Sequence, residues 1–229
     1  MADALQELLF IGEPAFCPFG GKEQGNAIEA FLGAAKSIGR ELAALLETKN
    51  GFFVFDRALL IRSFDRYSTP LGIVQWNDIN VWKNVYNVRT ENIIFFAEDV
   101  FGGQFGIDGD SICYFDPENA DLTPVAENLE SWGRWILDDH RVRTGWPLLR
   151  QWQELYGIIQ EGQRLLPKIP FVLGGKFELE NLFKLNDIEG MRWRADIANQ
   201  LLDCPPGAKV VIKLAPPGTI PTGSDGCEN

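Results

Sequence analysis

One dipeptide limits the fold more than any other feature of this chain. Asp108-Gly109 stands between two short apolar stretches, Gln104–Ile107 (QFGI) and Ile112–Phe115 (ICYF). Asp-Gly in that setting is a strong hairpin signal, because glycine takes positive φ with no Cβ to clash. An antiparallel pair is therefore fixed near the middle of the sequence. Strand-like and helix-like segments alternate on both sides of it. This pattern predicts an α+β class, mainly antiparallel sheet packed with helices.

Reading outward, Met1–Gly25 is expected to be irregular, with Pro14, Pro18 and the Gly20-Gly21 pair. Asn26 and Glu29 resemble an N-cap and its capping-box acid. Ile28, Phe31, Leu32, Ala35, Ile38, Leu42, Leu45 and Leu46 then recur at helical spacing, up to Asn50-Gly51. Phe52–Phe55 and Ala58–Phe64 read as strands joined tightly at Asp56-Arg57. Asn77 or Asp78 caps a short helix through Tyr86. Ile93–Ala97 is a strand, and Asp116-Pro117-Glu118-Asn119 a turn. Val125, Leu129, Trp132 and Ile136 mark a helix, and Pro147 opens another through Ile159. Ile169–Leu173 reads as a strand with Pro170 at its edge or start. A helix follows Asp187 and stops at Cys204-Pro205-Pro206-Gly207. Lys209–Leu214 reads as a last strand. From Ala215 the chain turns to Pro, Gly, Ser and Thr, the composition of a disordered tail.

Charge narrows the function. The chain has 229 residues and a net charge of −11. Glu98–Asp139 contains eleven acids against the single base Arg134, which gives −10 and leaves −1 for the rest. Phosphate binding needs a basic face, so nucleic acid is not an expected partner. No uncharged run exceeds eleven residues, so no helix is expected to span a membrane. The opening MADALQELLF has Asp3 and Glu7 but no Lys or Arg, unlike a signal peptide. A cytoplasmic protein with reduced Cys17, Cys113, Cys204 and Cys227 is the expectation. The acidic segment reads either as a solvated face or as a docking surface for a basic partner.

Nothing in the sequence composes a catalytic set. His140 is the only histidine, which speaks against a nucleophile–histidine pair or a His-rich metal site. It is expected to contact a helix C-terminus and Asp138-Asp139. Phe101-Gly102-Gly103 precedes a strand, not a helix, and Leu173-Gly174-Gly175-Lys176 lacks the spacing of a phosphate loop, so both read as turns. Asp108, Asp110 and Asp116 flank strands and lack the twelfth-position Glu of a calcium loop, so hairpin chemistry explains them without a metal. Trp82, Trp132, Trp152 and Trp193 sit at core spacing. Trp76 or Trp146, beside loops, is a candidate interface anchor.

Two strings carry a family resemblance. Glu91–Asp108 (ENIIFFAEDVFGGQFGID) and Trp132–Asp139 (WGRWILDD) resemble the SUKH superfamily, which includes the yeast cell-wall synthesis regulator and many bacterial immunity proteins. The pattern rests on Phe96, Ala97, Glu98, Asp99, Gly102, Phe105 and Asp108. Pro170–Gly175 and Gly190–Gln200 are similar to a bacterial subgroup with a C-terminal extension. The resemblance implies residues 26–140 as core and 141–214 as an extension packed on it, and composition leaves 215–229 as a disordered tail. It implies binding, not catalysis: an antidote that occupies a basic toxin, with no cofactor, or a regulatory scaffold as in the fungal relatives. A divalent-metal enzyme is the third reading. Asp99, Asp108, Asp110, Asp116 and Glu118 are the expected partner contacts.

Overall fold

The computed structural model describes residues 3–33, 36–86 and 90–202. Its centre is a six-stranded antiparallel meander in sequence order: β1 (Phe52–Val54), β2 (Leu59–Ile61), β3 (Ile94–Asp99), β4 (Gln104–Asp108), β5 (Ser111–Phe115) and β6 (Leu122–Ala126). The central hairpin forms as expected, one residue later than the Asp-Gly pair suggests. Asp108 pairs with Ser111, so the two-residue loop is Gly109-Asp110, with φ +58° at Gly109. A bulge between Phe95 and Ala97 inserts Phe96 into β3. The extra residue bends the strand and re-aims the side chains beyond it.

Helices cover both faces. On one lie α1 (Ala4–Ile11), α2 (Gly21–Leu32), α3 (Lys36–Thr48) and α5 (Leu129–Asp138). Leu8, Ile28, Leu42, Leu46, Trp132 and Ile136 pack there against Phe52, Val54, Ile61, Phe96, Phe105 and Ile112. The other face carries the one-turn helix α4 (Ile73–Trp76), a 3-10 turn at Lys83–Val85, and α8 (Asp187–Leu202). Trp76, Trp82, Tyr86, Met191, Ala195 and Ala198 pack there on Phe95, Cys113 and Phe115. A third cluster joins α7 (Trp146–Tyr156) to the hairpin of β7 (Gln163–Pro167) and β8 (Leu182–Asn186), through Leu149, Trp152, Leu165 and Leu182. The short α6 (His140–Arg143) links α5 to α7.

Several local expectations are corrected. Residues 1–25 are not irregular throughout: Asp3 caps α1, and Glu130 of α5 accepts from the Ala4 and Leu5 amides at 2.8 and 3.2 Å. An acid more than a hundred residues away thus completes a helix too short to stand on its own propensity. Asn26 lies inside α2, whose cap is Gly20. No helix starts at Asn77 or Asp78. Residues 169–173 hold a 3-10 turn at Phe171–Leu173, and the strand lies earlier, at Gln163–Pro167. Pro170 cannot donate to a ladder, and Gly174 at φ +88° turns the chain away. Trp76 is fully buried, which removes it as an exposed anchor. His140 opens α6 rather than ending a helix, and its ring stacks on Phe55 at 4.5 Å. The strand at 209–214, the tail, Cys204 and Cys227 lie outside the described residues. Among the described residues no helix is long and apolar enough to cross a membrane.

Candidate functional site

The acidic segment does not form one face. The hairpin splits it. Asp108 and Asp110 are exposed at its tip, while Asp116 and Glu118 follow β5 at the opposite end. At about 3.4 Å per residue, a five-residue strand separates the two ends by roughly 14 Å. Asp99, at the end of β3, lies with Asp116 and Glu118. Three of the five expected contacts are therefore brought together and two are not. Neither Asp99 nor Glu118 is a surface acid: each is only 5% exposed.

These three acids line a cavity of about 510 Å³ at the end of the sheet. Its other residues come from several elements. Phe101 and Gly103 belong to the β3–β4 turn, and Tyr114 to β5. Trp135, Val142 and Arg143 come from α5 and α6. Phe171, Val172 and Phe177 lie between β7 and β8, and Arg194 comes from α8. Phe171 and Phe177 stack with centroids 3.8 Å apart at 9°, and Phe101 meets Phe171 edge-on at 5.3 Å. The mouth is apolar and open, since Val142 is 77% and Phe177 68% exposed.

Backbone turns set the acids in place. Asp99 Oδ1 accepts from the Phe101 and Gly103 amides at 2.8 and 2.9 Å, and its Oδ2 accepts from the Tyr114 hydroxyl at 2.9 Å. Gly102 holds φ +77°, and a Cβ there would strike the Arg194 guanidinium. The turn therefore requires glycine for both its conformation and its contact. Asp116 Oδ1 accepts from the Glu118 amide at 2.9 Å. Glu118 Oε2 accepts from the Val172 amide at 2.9 Å, which ties the β5–β6 turn to the segment 54 residues on.

Burial dominates the electrostatics. It raises Asp99 to about 7, against the pull of the Gly103 amide, the Tyr114 hydroxyl and Arg194. It also raises Asp116 and Glu118 above the ordinary carboxylate range. Burial, and then the charge of Asp99, push the Tyr114 phenol well up. Among the described residues no Lys or Arg nitrogen pairs with any of the three acids within 4 Å. Arg194 is committed elsewhere, to the Phe101 and Gly190 carbonyls and the Met191 sulfur. Arg143 lies over the Trp135 ring at 4.2 Å, and its Nη1 is buried with no hydrogen-bond partner.

Beneath the floor lies a second charged group. Glu98, fully buried, takes Arg62 Nη2 at 2.8 Å and Gln104 Nε2 at 2.8 Å, both on Oε2. Arg164 Nη2 stands 2.6 Å from its Oε1, close but off the hydrogen-bond axis. Asp187 is 3.5 Å from the same Arg62 nitrogen. The Trp76 ring stacks under the Arg62 guanidinium at 3.6 Å, and its Nε1 donates to Gln104 Oε1 at 2.9 Å. Gln104 also donates to the Gly102 carbonyl at 2.8 Å, so this network braces the glycine turn above it.

Sequence reasoning missed Arg143, Arg194 and the Phe171–Phe177 pair. Arg194 had a signal: it falls on the apolar stripe of Met191, Ala195 and Ala198, where an arginine must be buried. Among the described residues no three His, Cys, Asp or Glu side chains converge as metal ligands.

No protein-family model matches this chain, and no curated protein matches it. Its fold is similar to the crystal structure of Atu4351 from Agrobacterium tumefaciens, with a TM-score of 0.56 and 12% identity over 84% of this chain and 87% of that one. At that identity the likeness shows an α+β fold and nothing of activity.

Proposed function

We propose that this chain is a non-catalytic binding protein that captures a basic protein, in the manner of a cytosolic immunity protein of SUKH type occupying a toxin. The observation that carries the reading is the cavity: three acids with no Lys or Arg nitrogen within 4 Å among the described residues, behind an exposed apolar mouth. Unpaired buried carboxylates are costly, and a cationic partner would relieve that cost on binding. Val142, Val172 and Phe177 supply apolar area that a partner would cover. The exposed acids Asp108, Asp110, Asp121, Glu127, Asp138 and Asp139 would draw a cationic partner in.

The test is co-expression with the product of the neighbouring reading frame. The expected result is a stoichiometric complex and rescue of growth from that product's toxicity. Absence of both, or turnover of a substrate by the purified chain, would overturn the reading.

A further inference from the structure

We infer that the cavity takes one arginine side chain of the partner, its guanidinium set between Asp116 and Glu118 and the Phe171–Phe177 stack. This rests on the binding reading above and names the group that fills the site.

Charge sets the number. Above about pH 7, where Asp99 has ionised, Asp99, Asp116 and Glu118 stand against Arg143 and Arg194 and the cavity carries one net negative charge. A single monovalent cation neutralises it. Arg194 cannot do so by turning, because its nitrogens already serve Phe101, Gly190 and Met191. Glu118 is buried and lines the cavity, Arg194 acts on it only from a distance, and among the described residues no Lys or Arg nitrogen lies within 4 Å of it. That is the position of an acceptor whose partner comes from another molecule.

Shape and chemistry select arginine over lysine. The walls are rings, and a guanidinium is flat, weakly hydrated and able to stack while its N–H fork meets carboxylates. The exposed Phe177 lies stacked on Phe171 by one face, which leaves the other open. The same cavity already holds one such contact, Arg143 over Trp135. An ammonium is more strongly hydrated and has no plane to lay on the rings.

Protonation supports the assignment. Asp99 ionises at about 7. It faces Tyr114, Arg194 and the amides of Phe101 and Gly103, with Asp116 and Glu118 across the cavity. Raising the pH through that value adds the negative charge that a cation needs.

The test uses N-acetyl-arginine methylamide and its lysine counterpart, followed by amide NMR on the intact chain. The expected result at pH 8 is saturable shifts at Phe101, Gly103 and Val172, with the arginine probe binding about fivefold or more tighter than the lysine probe. Glu118→Gln and Asp116→Asn, near-isosteric changes whose folding the same spectra verify, should each weaken the arginine probe about tenfold. Glu23→Gln, an exposed change on α2 outside the cavity lining, should leave it unchanged. No saturable shifts at those amides, equal response to both probes, or an equal effect of Glu23→Gln would each overturn the assignment. If the arginine probe fails while the co-expressed partner still binds, only the occupant is wrong; if both fail, the binding reading falls too.

Discussion

Glu98 and Asp99 are neighbours in β3, yet one is held charged and the other takes up a proton near neutral pH. Consecutive strand residues point to opposite faces, so the two carboxylates enter different surroundings. Burial opposes charge at both. At Glu98, Arg164 and Arg62 outweigh it and hold the carboxyl below its ordinary range. At Asp99 only amides, a phenol and a more distant guanidinium resist it, and the carboxyl rises to about 7.

Asp99 therefore makes stability depend on pH in a definite direction. Its pKa rises from 3.8 to about 7 on folding, so between these values the folded chain holds a proton that the unfolded chain has released. Stability must fall as pH climbs from about 4 to about 7 and then level off. Asp99→Asn removes this dependence while keeping an acceptor for the Phe101 and Gly103 amides. The variant should gain on the parent by an amount on the order of 4 kcal/mol between pH 4 and pH 8. Urea unfolding of both proteins across that range measures it. A constant difference would show that Asp99 does not titrate as described.

The Glu98 network should respond in the opposite sense. Glu98→Gln keeps the shape but leaves Arg62 and Arg164 buried with, among the described residues, only Asp187 to offset them. Removing one partner of a buried ion pair costs about 3–5 kcal/mol. Urea unfolding at pH 7 should show a loss of that size. A loss under about 1 kcal/mol would mean that water reaches these guanidiniums.

The glycine turn is the third test. A Cβ at Gly103 would stand 2.6 Å from Asp99 Oδ2 and press on the Tyr114 hydroxyl. Gly103→Ala should break the Tyr114–Asp99 hydrogen bond and displace the cavity floor. The expected stability loss is about 1–3 kcal/mol, with amide shifts concentrated at Phe101 and Tyr114. Gly109→Ala, at the open hairpin tip, meets nothing within 4 Å and should leave those amides unmoved.

These relationships differ in how far the sequence reveals them. The hairpin was legible because turn chemistry is local: Gly109 and its flanking strands suffice. The acids were legible as a composition, but their places were not. Residue counting cannot show that Asp108 and Asp116 leave opposite ends of one hairpin. Nor can it show that Asp99 turns inward, since that depends on amides of the Gly102 turn. Helix α1 was illegible for a related reason, as its cap comes partly from Glu130. Phe171 lay in a stretch that resembled a strand, because apolar runs look alike until Pro170 and Gly174 are weighed together, and Phe177, its stacking partner, lay beyond that stretch. What the sequence did carry, unread, was the arginine on the apolar stripe of α8.

Division of the acids between two ends of the hairpin gives a kinetic prediction. Exposed charges act at a distance and are screened within about 8–10 Å at physiological salt, so they govern the rate of encounter. Buried groups act only after docking, so they govern the rate of departure. Asp108→Asn combined with Asp110→Asn should slow association with a basic partner and flatten its salt dependence, with little change in dissociation. Glu118→Gln should speed dissociation about tenfold or more and leave association nearly as it was. Surface plasmon resonance at low and high ionic strength separates the two. If both changes moved the same rate constant, the two groups of carboxylates would be acting as one surface, and the cavity would have no role of its own.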